Sequence, residues 1–494
     1  MTRGRLAVLV VSALTLVGCT QRTPELQVIH DAAEALGGDD NVAEARSLVL
    51  EGSGRQYRLG QSPRVAGDPT YLEIDEYRRD FDLEEDRWRV TQDRTSTYPT
   101  GNPLLSAEQT FGLDGTVAYD VGSDGVARRA SESVARERTL AHYHHPLPLL
   151  RLALTEGATV GNLRQEDGHD VVDITAADGN VYTLWVESET REPRRIVSTG
   201  DHPMLGDVTF TTTFDDYRET GGLGGFQARL SLPRIITASM DDQPTWELRV
   251  NANVDQDIGD LSAPADVLAP PPEFQANVQT DELADGVWRL AGQSHHSLLV
   301  EFDDFLALIE APRPEARTLA VIEAARELVP DKPLRYLVNT HHHFDHAAGI
   351  RAAVAEGLTI ITHETNGPFF EELVARPHTR QPDTLARSPQ ELTLELVTGF
   401  GVYDLSDGRR TMHIVPIFQD EHSVGNLMAY LPRERILVEA DTFTPNARVA
   451  PFAPNLLKNL SDLEWQVDRI VPIHGDVVDF SELEAAAEAE TNRI

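Results

Sequence analysis

The sequence has a single cysteine, Cys19, among its 494 residues. No internal disulfide can therefore form, and the fold must be stabilised by its core. Positive charge is also scarce, since 43 Lys and Arg face 80 Asp and Glu and give a formal net charge of −37. Phosphate binding needs Lys and Arg, so we expect no nucleic-acid partner. The Gly-x-Ser-x-Gly motif is missing as well, so nothing points to a serine nucleophile.

The length and composition are those of a globular protein with more than one core. Charged residues make up 25% of the chain and hydrophobic residues 40%, which excludes a mainly disordered chain. A chain of 494 residues exceeds the usual size of one domain. We therefore expect two domains.

The N-terminus has the features of an export signal. Two arginines precede an apolar run of 12 residues, 6–17, which is short for a membrane-spanning helix and typical of a signal peptide. The run ends in "LVGC", which resembles the lipobox of bacterial lipoproteins; a plain secretory signal is the alternative. The resemblance implies removal of residues 1–18 and lipidation of Cys19. Thr20 then favours the outer membrane, facing the periplasm, within the bacterial cell envelope.

The rest of the chain divides at a proline-rich stretch. Residues 25–36 have helical apolar spacing and end at two glycines, and alternating segments with Gly, Asp and Asn turns follow. We interpret residues 19–265 as an antiparallel β-rich domain and 266–278 as a Pro-rich linker. From residue 279 to 494 strands alternate with helices, which predicts an α/β domain.

The second domain contains "NTHHHFDHAAGI", with four histidines and one aspartate between His341 and His346. An apolar strand precedes this segment and a helix follows it, and ligand sites in α/β proteins lie at such strand ends. In an extended segment His341 and His343 face one side and His342 the other. Asp345 and His346 approach from the helix. Imidazole and carboxylate groups at this spacing predict a site for Zn²⁺ or a similar ion.

Three further ligand types stand at the ends of apolar segments. His422 opens "HSVGNLMAYLP", Asp441 closes "RILVEAD", and His474 lies in "RIVPIHGD". We expect them at the same edge as the histidine cluster.

These motifs together resemble the metallo-β-lactamase superfamily, over about residues 280 to 485. The resemblance implies an αβ/βα sandwich, hence an α/β (α+β) chain in which this sandwich follows an antiparallel β-sheet domain. It implies one metal held by His341, His343 and His422, a second held by Asp345, His346 and His474, and Asp441 as the bridge. One departure is Glu310, which ends "LIE" where the family often has aspartate.

The resemblance also implies a reaction. Two Zn²⁺ ions, or alternatively iron or manganese, would generate a metal-bound hydroxide that attacks an ester, thioester, lactone or related bond of a small-molecule substrate. Asp345 is the candidate catalytic residue, since it can orient the attacking water. Alternatives are an iron-dependent redox member of the superfamily, a β-lactam hydrolase, and a ligand-binding or carrier lipoprotein. No protein partner is indicated.

Other histidines have weaker patterns. His295 and His296 precede a strand of the second domain, and His378 lies in a Pro-broken loop; these three are possible substrate contacts. "HYHHP", at residues 142–146, lacks a visible set of partner ligands, and we interpret it as a partly exposed helix start. His363 and His413 are interpreted as structural.

The lipid anchor yields a test. Changing Cys19 to Ser should abolish incorporation of radiolabelled fatty acid, because no other cysteine can accept the lipid. Equal labelling of the variant and the parent would contradict the anchor.

Overall fold

The structure of the protein is a computed structural model, which describes residues 22–97, 107–155, 157–220, 230–270 and 274–493. The predicted signal peptide 1–18 and the lipidation site Cys19 lie outside these residues. Among the described residues, no helix combines the length and apolarity needed to cross a membrane.

The N-terminal region combines a large sheet with four helices in its described part. The helices are α1 (Pro24–Leu36), α2 (Asp39–Glu44), α3 (Glu132–His142) and α4 (Pro146–Leu154). The strands are β1 (Ser47–Tyr57), β2 (Tyr71–Asp82), β3 (Arg87–Ser96), β4 (Ala107–Asp114), β5 (Val117–Val121), β6 (Ala127–Arg129), β7 (Thr159–Glu166), β8 (His169–Thr175), β9 (Val181–Glu187), β10 (Pro193–His202), β11 (Gly206–Glu219), β12 (Ser231–Met240) and β13 (Gln243–Val254).

These thirteen described strands form one antiparallel sheet, in which β1 pairs with both β2 and β13. Successive side chains of a strand point to opposite faces of the sheet, and only one face of this sheet is covered. In β9, for example, Tyr182, Leu184 and Val186 are buried, while the residues between them are partly exposed. Helices α1, α3 and α4 contribute apolar side chains to the same core. The predicted β-sheet is confirmed, and so is the first helix, which ends at Gly37 in a left-handed conformation.

The histidine-rich "HYHHP" segment leads into a helix, as the sequence predicted, but the expected partial exposure is wrong for His142 and His145. His142 ends α3, and His145 caps α4 by accepting a hydrogen bond from Leu147 N–H. Both side chains are buried, and the ring of Phe81 lies against each of them. The local pattern did not show the error, because the burial comes from sheet residues distant in sequence.

A segment without long regular structure joins the two regions. Its described residues contain one short 3-10 turn, Ala265–Val267, before the next strand begins at Gln279. The predicted linker 266–278 lies here.

The C-terminal region contains the remaining elements. Its strands are β14 (Gln279–Ala284), β15 (Val287–Ala291), β16 (Ser297–Glu301), β17 (Leu306–Ile309), β18 (Leu334–Val338), β19 (Thr359–His363), β20 (Leu394–Val397), β21 (Tyr403–Ser406), β22 (Thr411–Pro416), β23 (Leu427–Leu431), β24 (Ile436–Glu439), β25 (Arg469–Pro472) and β26 (Val478–Asp479). Its helices are α5 (Glu315–Leu328), α6 (Phe344–Ala347), α7 (Ile350–Ala355), α8 (Gly367–Ala375), α9 (Thr384–Arg387), α10 (Ala453–Asp462) and α11 (Phe480–Thr491).

Two sheets face each other in this region, and helices cover their outer faces. Strands β14 to β20 form one sheet in sequence order, and β21 to β26 form the other. Ala307 and Ile309 of β17 point into the core between the sheets, whereas Leu306 and Leu308 join the core under α5 and α7. Helices α10 and α11 cover the second sheet. Burial on both faces explains the continuous apolar runs of these strands, and the αβ/βα sandwich expected from the sequence is confirmed.

The two regions touch at the end of α8. The Arg376 guanidinium donates hydrogen bonds to the carboxylate of Asp241 and to the carbonyl oxygens of Leu205 and Asp207. All three acceptors lie at hairpin ends of the N-terminal sheet. Thr379 also donates to Asp207. One arginine thus satisfies several partly buried acceptors across the interface.

Replacing Arg376 with Ala should lower the free energy of unfolding by about 1–3 kcal/mol, because these acceptors lose their donor. Arg326→Ala is the matched control, since Arg326 pairs with Glu356 on the surface of one region and should cost at most about 1 kcal/mol. Denaturant titration measures both. Equal losses of unfolding free energy in the two variants would mean that the Arg376 contacts across the interface do not stabilise the protein.

Candidate metal centre

The edge of the sandwich at which the parallel strands end gathers the candidate ligands. Strands β17 and β18 are parallel, as are β24 and β25, so residues following them emerge on one side. Segment 341–346 follows β18, Asp441 follows β24 and His474 follows β25. Strands β16 and β23 run antiparallel to β17 and β24. The residues preceding them, His295 and His422, therefore reach the same edge.

The ligand atoms form two groups, each with its atoms within 4.8 Å of one another. The first group is His341, His343, His422 and Asp441; the second is His295, Asp345, His346 and His474. All seven predicted ligands are thus brought together. The division between the two groups follows the one expected from the sequence, with His295 added to the second.

Asp441 lies between the groups. Its Oδ2 is 3.0 Å from His422 Nε2 and 3.1 Å from His346 Nε2, and its Oδ1 is 2.9 Å from His474 Nε2. One carboxylate oxygen therefore touches both groups and the other touches the second. This is the position that a bridging carboxylate requires.

The turn that carries Asp441 is held by another buried carboxylate. Asp441 has a left-handed backbone, with φ of 63°, which is unusual for a residue other than glycine. Glu439 Oε2 accepts hydrogen bonds from Thr442 N–H, Thr442 Oγ1–H and Phe443 N–H. Burial raises the pKa of Glu439 to about 7, against the effect of these hydrogen bonds. Glu439 thereby closes the turn around Asp441.

Most of the histidine rings are held from outside through one nitrogen. The outer contacts are His341 Nδ1 with Thr340 Oγ1 at 3.0 Å, His343 Nε2 with Ser62 O at 3.0 Å, His346 Nδ1 with Glu310 Oε2 at 2.7 Å, and His474 Nδ1 with Ser294 O at 2.8 Å. Such contacts orient a ring and select the nitrogen that faces a metal.

Electrostatics also mark this site. Burial lowers the pKa of His341 and of His343 well below its usual range, which keeps both rings neutral. Burial opposes charge on His346 too, but nearby carboxylates, Asp441 first among them, raise its pKa well above the usual range. For Asp441, burial raises the pKa and the imidazoles of His346 and His422 more than offset it, so that the pKa lies well below its ordinary value.

The donor set fits metal ions. His422 Nε2 lies 3.3 Å from His341 Nε2, and His474 Nε2 lies 3.3 Å from His346 Nε2, so ring nitrogens converge in pairs. His343 Nδ1 is buried and, among the described residues, has no hydrogen-bond partner. Converging imidazole nitrogens and carboxylate oxygens are the ligands that a divalent transition metal binds.

The remaining candidates fall in different places. His295, expected only as a substrate contact, lies 3.3 Å from Asp345 Oδ2, within the second group. His296 faces inward and accepts from Gly292 N–H, whereas His378 packs against Gly206 of the N-terminal sheet and pairs with Asp383. Neither histidine belongs to the two ligand groups.

Two further expectations concern neighbours of the ligands. His342 is buried outside both groups, and its Nε2 contacts Ser62 O, the oxygen that His343 Nε2 also contacts. Glu310, the departure from the family pattern, accepts from Thr340 N–H at 2.7 Å and contacts His346. The longer side chain therefore still supports the site.

Residues 290–402 match the family model of the metallo-beta-lactamase superfamily. This part of the chain is therefore similar in sequence to members of that superfamily. The match includes Glu310 and segment 341–346. His422, Asp441 and His474 follow it in the same metallo-β-lactamase sandwich, and their placement comes from the geometry described above.

The chain has relatives that each match less than half of its length. It is 26% identical over 221 residues to the 2,4-dinitroanisole O-demethylase subunit alpha of Nocardioides sp. (strain JS1661), over 42% of this chain and 62% of that relative's length. Among solved structures, it is similar to a metallo-beta-lactamase from Pontibacter korlensis (17% identity, TM-score 0.34, 44% of this chain and 100% of that one). Another is the rubredoxin oxygen:oxidoreductase of Desulfovibrio gigas (19% identity, TM-score 0.34, 43% and 61%).

Glu310 offers a test of the outer contacts. Glu310→Gln keeps an acceptor for Thr340 N–H but loses the carboxylate beside His346 Nδ1, so metal affinity should fall by about 10- to 100-fold. Competition with a chromophoric chelator measures it. Glu356→Gln, at a carboxylate on the surface of the same domain, should bind metal like the parent. Unchanged affinity in the Glu310 variant would remove this residue from the metal centre.

Proposed function

We propose that the chain is a dinuclear metal-dependent hydrolase that acts on an ester, thioester, lactone or related bond of a small molecule. The observation that carries the proposal is the position of Asp441, whose carboxylate contacts His422 of one ligand group and His346 and His474 of the other. Zinc is the ion we favour, since imidazole and carboxylate are its usual ligands.

The chain's own groups suit hydrolysis. Bound divalent ions would polarise a carbonyl or phosphoryl oxygen and lower the pKa of water. Asp345 faces the second group with Oδ2 and is held by Gln61 through Oδ1 at 2.9 Å. Burial raises the pKa of Asp345, but the charge of His346 and other partners lowers it below the ordinary value overall. An ionised, fixed carboxylate can accept a hydrogen bond from a water molecule and so orient it for attack.

The same donor set is compatible with more than one metal and more than one class of substrate, and experiment decides between them. Histidine and carboxylate ligands also bind iron, which keeps a redox reaction as the second candidate. The matched relative is named as a demethylase of 2,4-dinitroanisole, so aryl methyl ethers join the substrate panel. A β-lactam belongs there as well, because the domain is similar in sequence to members of the metallo-β-lactamase superfamily.

For location, the proposal is export followed by attachment to the membrane through Cys19. It is supported by the apolar N-terminal run and the "LVGC" segment alone. The described domains would then lie on the periplasmic side of the outer membrane.

The test begins with elemental analysis of the chain from residue 20 onward, which should contain about two zinc ions per molecule after gentle purification. Its turnover is then measured on ester, thioester, lactone, phosphodiester, aryl ether and β-lactam substrates. Asp441→Ala should lower turnover by about 100-fold or more, since the ligand groups lose their shared carboxylate and the reacting groups lose alignment.

Asp404→Ala is the matched control, because Asp404 is an exposed aspartate of the same domain that pairs with His413. It should leave turnover and metal content unchanged, and circular dichroism should show both variants folded. A metal content near zero after zinc is supplied would contradict the proposal. Iron retained together with oxygen-dependent turnover would favour the redox candidate.

A further inference from the structure

The loop between β1 and β2, residues 58–70, reaches from the N-terminal sheet into the metal centre. Four consecutive residues of this β1–β2 loop, Gly60 to Pro63, each contact a segment of the metallo-β-lactamase domain. The contacts of Gln61 and Ser62 join positions about 280 apart in sequence. The loop is also tied together internally, since Thr70 Oγ1–H donates to Gln61 O.

Gln61 holds the carboxylate of Asp345. Its Nε2–H donates to Asp345 Oδ1 at 2.9 Å, while its Oε1 accepts from Arg58 Nη2–H at 3.1 Å. Because the arginine can only donate, the amide oxygen must face it and the amide NH₂ must face Asp345. Asp345 Oδ2 then remains directed at the second ligand group.

Ser62 selects the tautomer of His343. Its carbonyl oxygen lies 3.0 Å from His343 Nε2 and 3.0 Å from His342 Nε2. A carbonyl can only accept, so each Nε2 carries the proton. Nδ1 of neutral His343 is then an unprotonated lone pair, and this is the buried atom without a partner described above.

Backbone contacts on either side fix the loop. Phe344 N–H donates to Gly60 O at 3.3 Å, and Val424 N–H donates to Pro63 O at 2.8 Å. Gly60 has φ of 65°, and a Cβ there would overlap the ring of Phe344. The loop therefore lies between the segment that carries His343 and the loop that carries His422.

We propose that Gln61 and Ser62 are positioning residues of the metal centre, so that the N-terminal sheet completes the site. Gln61 directs Asp345 to the second ligand group, and the Ser62 carbonyl presents His343 Nδ1 to the first. This inference rests on the proposed metal centre and is independent of the reaction catalysed there.

Gln61→Leu in the full chain removes the donor while keeping nearly the same size. Affinity for the more weakly bound of two Co²⁺ ions should fall by about 10-fold, because Asp345 loses its outer partner. The visible absorption bands of bound Co²⁺ should shift, which a general loss of stability would not cause. Gln27→Leu is the matched control, since Gln27 also donates its amide to an aspartate, Asp31, on an exposed helix.

Gly60→Ala tests the loop as a whole. It should displace Gln61 and Ser62 together and lower the affinity for both metal ions. Gly125→Ala is the control and should leave both affinities unchanged, because Gly125 also has a positive φ, of 73°, but has open space around it. Thermal unfolding compares the folded state of the two variants.

The outcomes separate the two proposals. A parent chain that binds no Co²⁺ contradicts the metal centre itself and takes this inference with it. A parent that binds two ions, with a folded Gln61→Leu variant equal to it in affinity and spectrum, overturns only the role of the loop.

Discussion

The architecture of the site depends on one ionised and largely buried carboxylate, Asp441, which lies among imidazole rings. Removing such a charge from water costs several kcal/mol unless fixed partners compensate. Its compensation comes from His422, His346 and His474, which three different segments supply. A shift of any of these segments would remove one of the partners that compensate this charge. The left-handed turn at Asp441 and the Glu439 carboxylate that closes it are parts of the same constraint.

The strand directions of the sandwich bring the partners of Asp441 together. Parallel strands deliver the residues after their carboxyl ends to one edge, and antiparallel neighbours deliver the residues before their amino ends to the same edge. Rigid apolar strands, buried on both faces, then hold polar loops in place. Strand spacing thus brings the ligand segments to one place, and the turns and loops described above orient the individual side chains.

The features of this arrangement that depend on residues near one another in sequence could be predicted. The alternation of His341 and His343, the apolar strands before Asp441 and His474, and the sandwich itself could all be predicted from spacing and resemblance. The placement of His295 beside Asp345 could not, because a loop histidine before a strand has no local mark of its neighbours. The burial of His142 and His145 and the contact of Gln61 with Asp345 were missed for the same reason: they are set by packing between distant segments.

The β1–β2 loop meets the metal centre mainly with its backbone. Gly60, Ser62 and Pro63 each contribute a carbonyl oxygen, and Gln61 alone contributes a side chain. Because any residue type supplies a carbonyl, most of this contact depends on how many residues separate the loop from β1 rather than on which residues they are. Inserting or deleting one residue ahead of Gly60 would move every carbonyl to the wrong partner at once. The length of the β1–β2 loop therefore determines which residues of the two domains come into contact. This length must be preserved when either domain is redesigned.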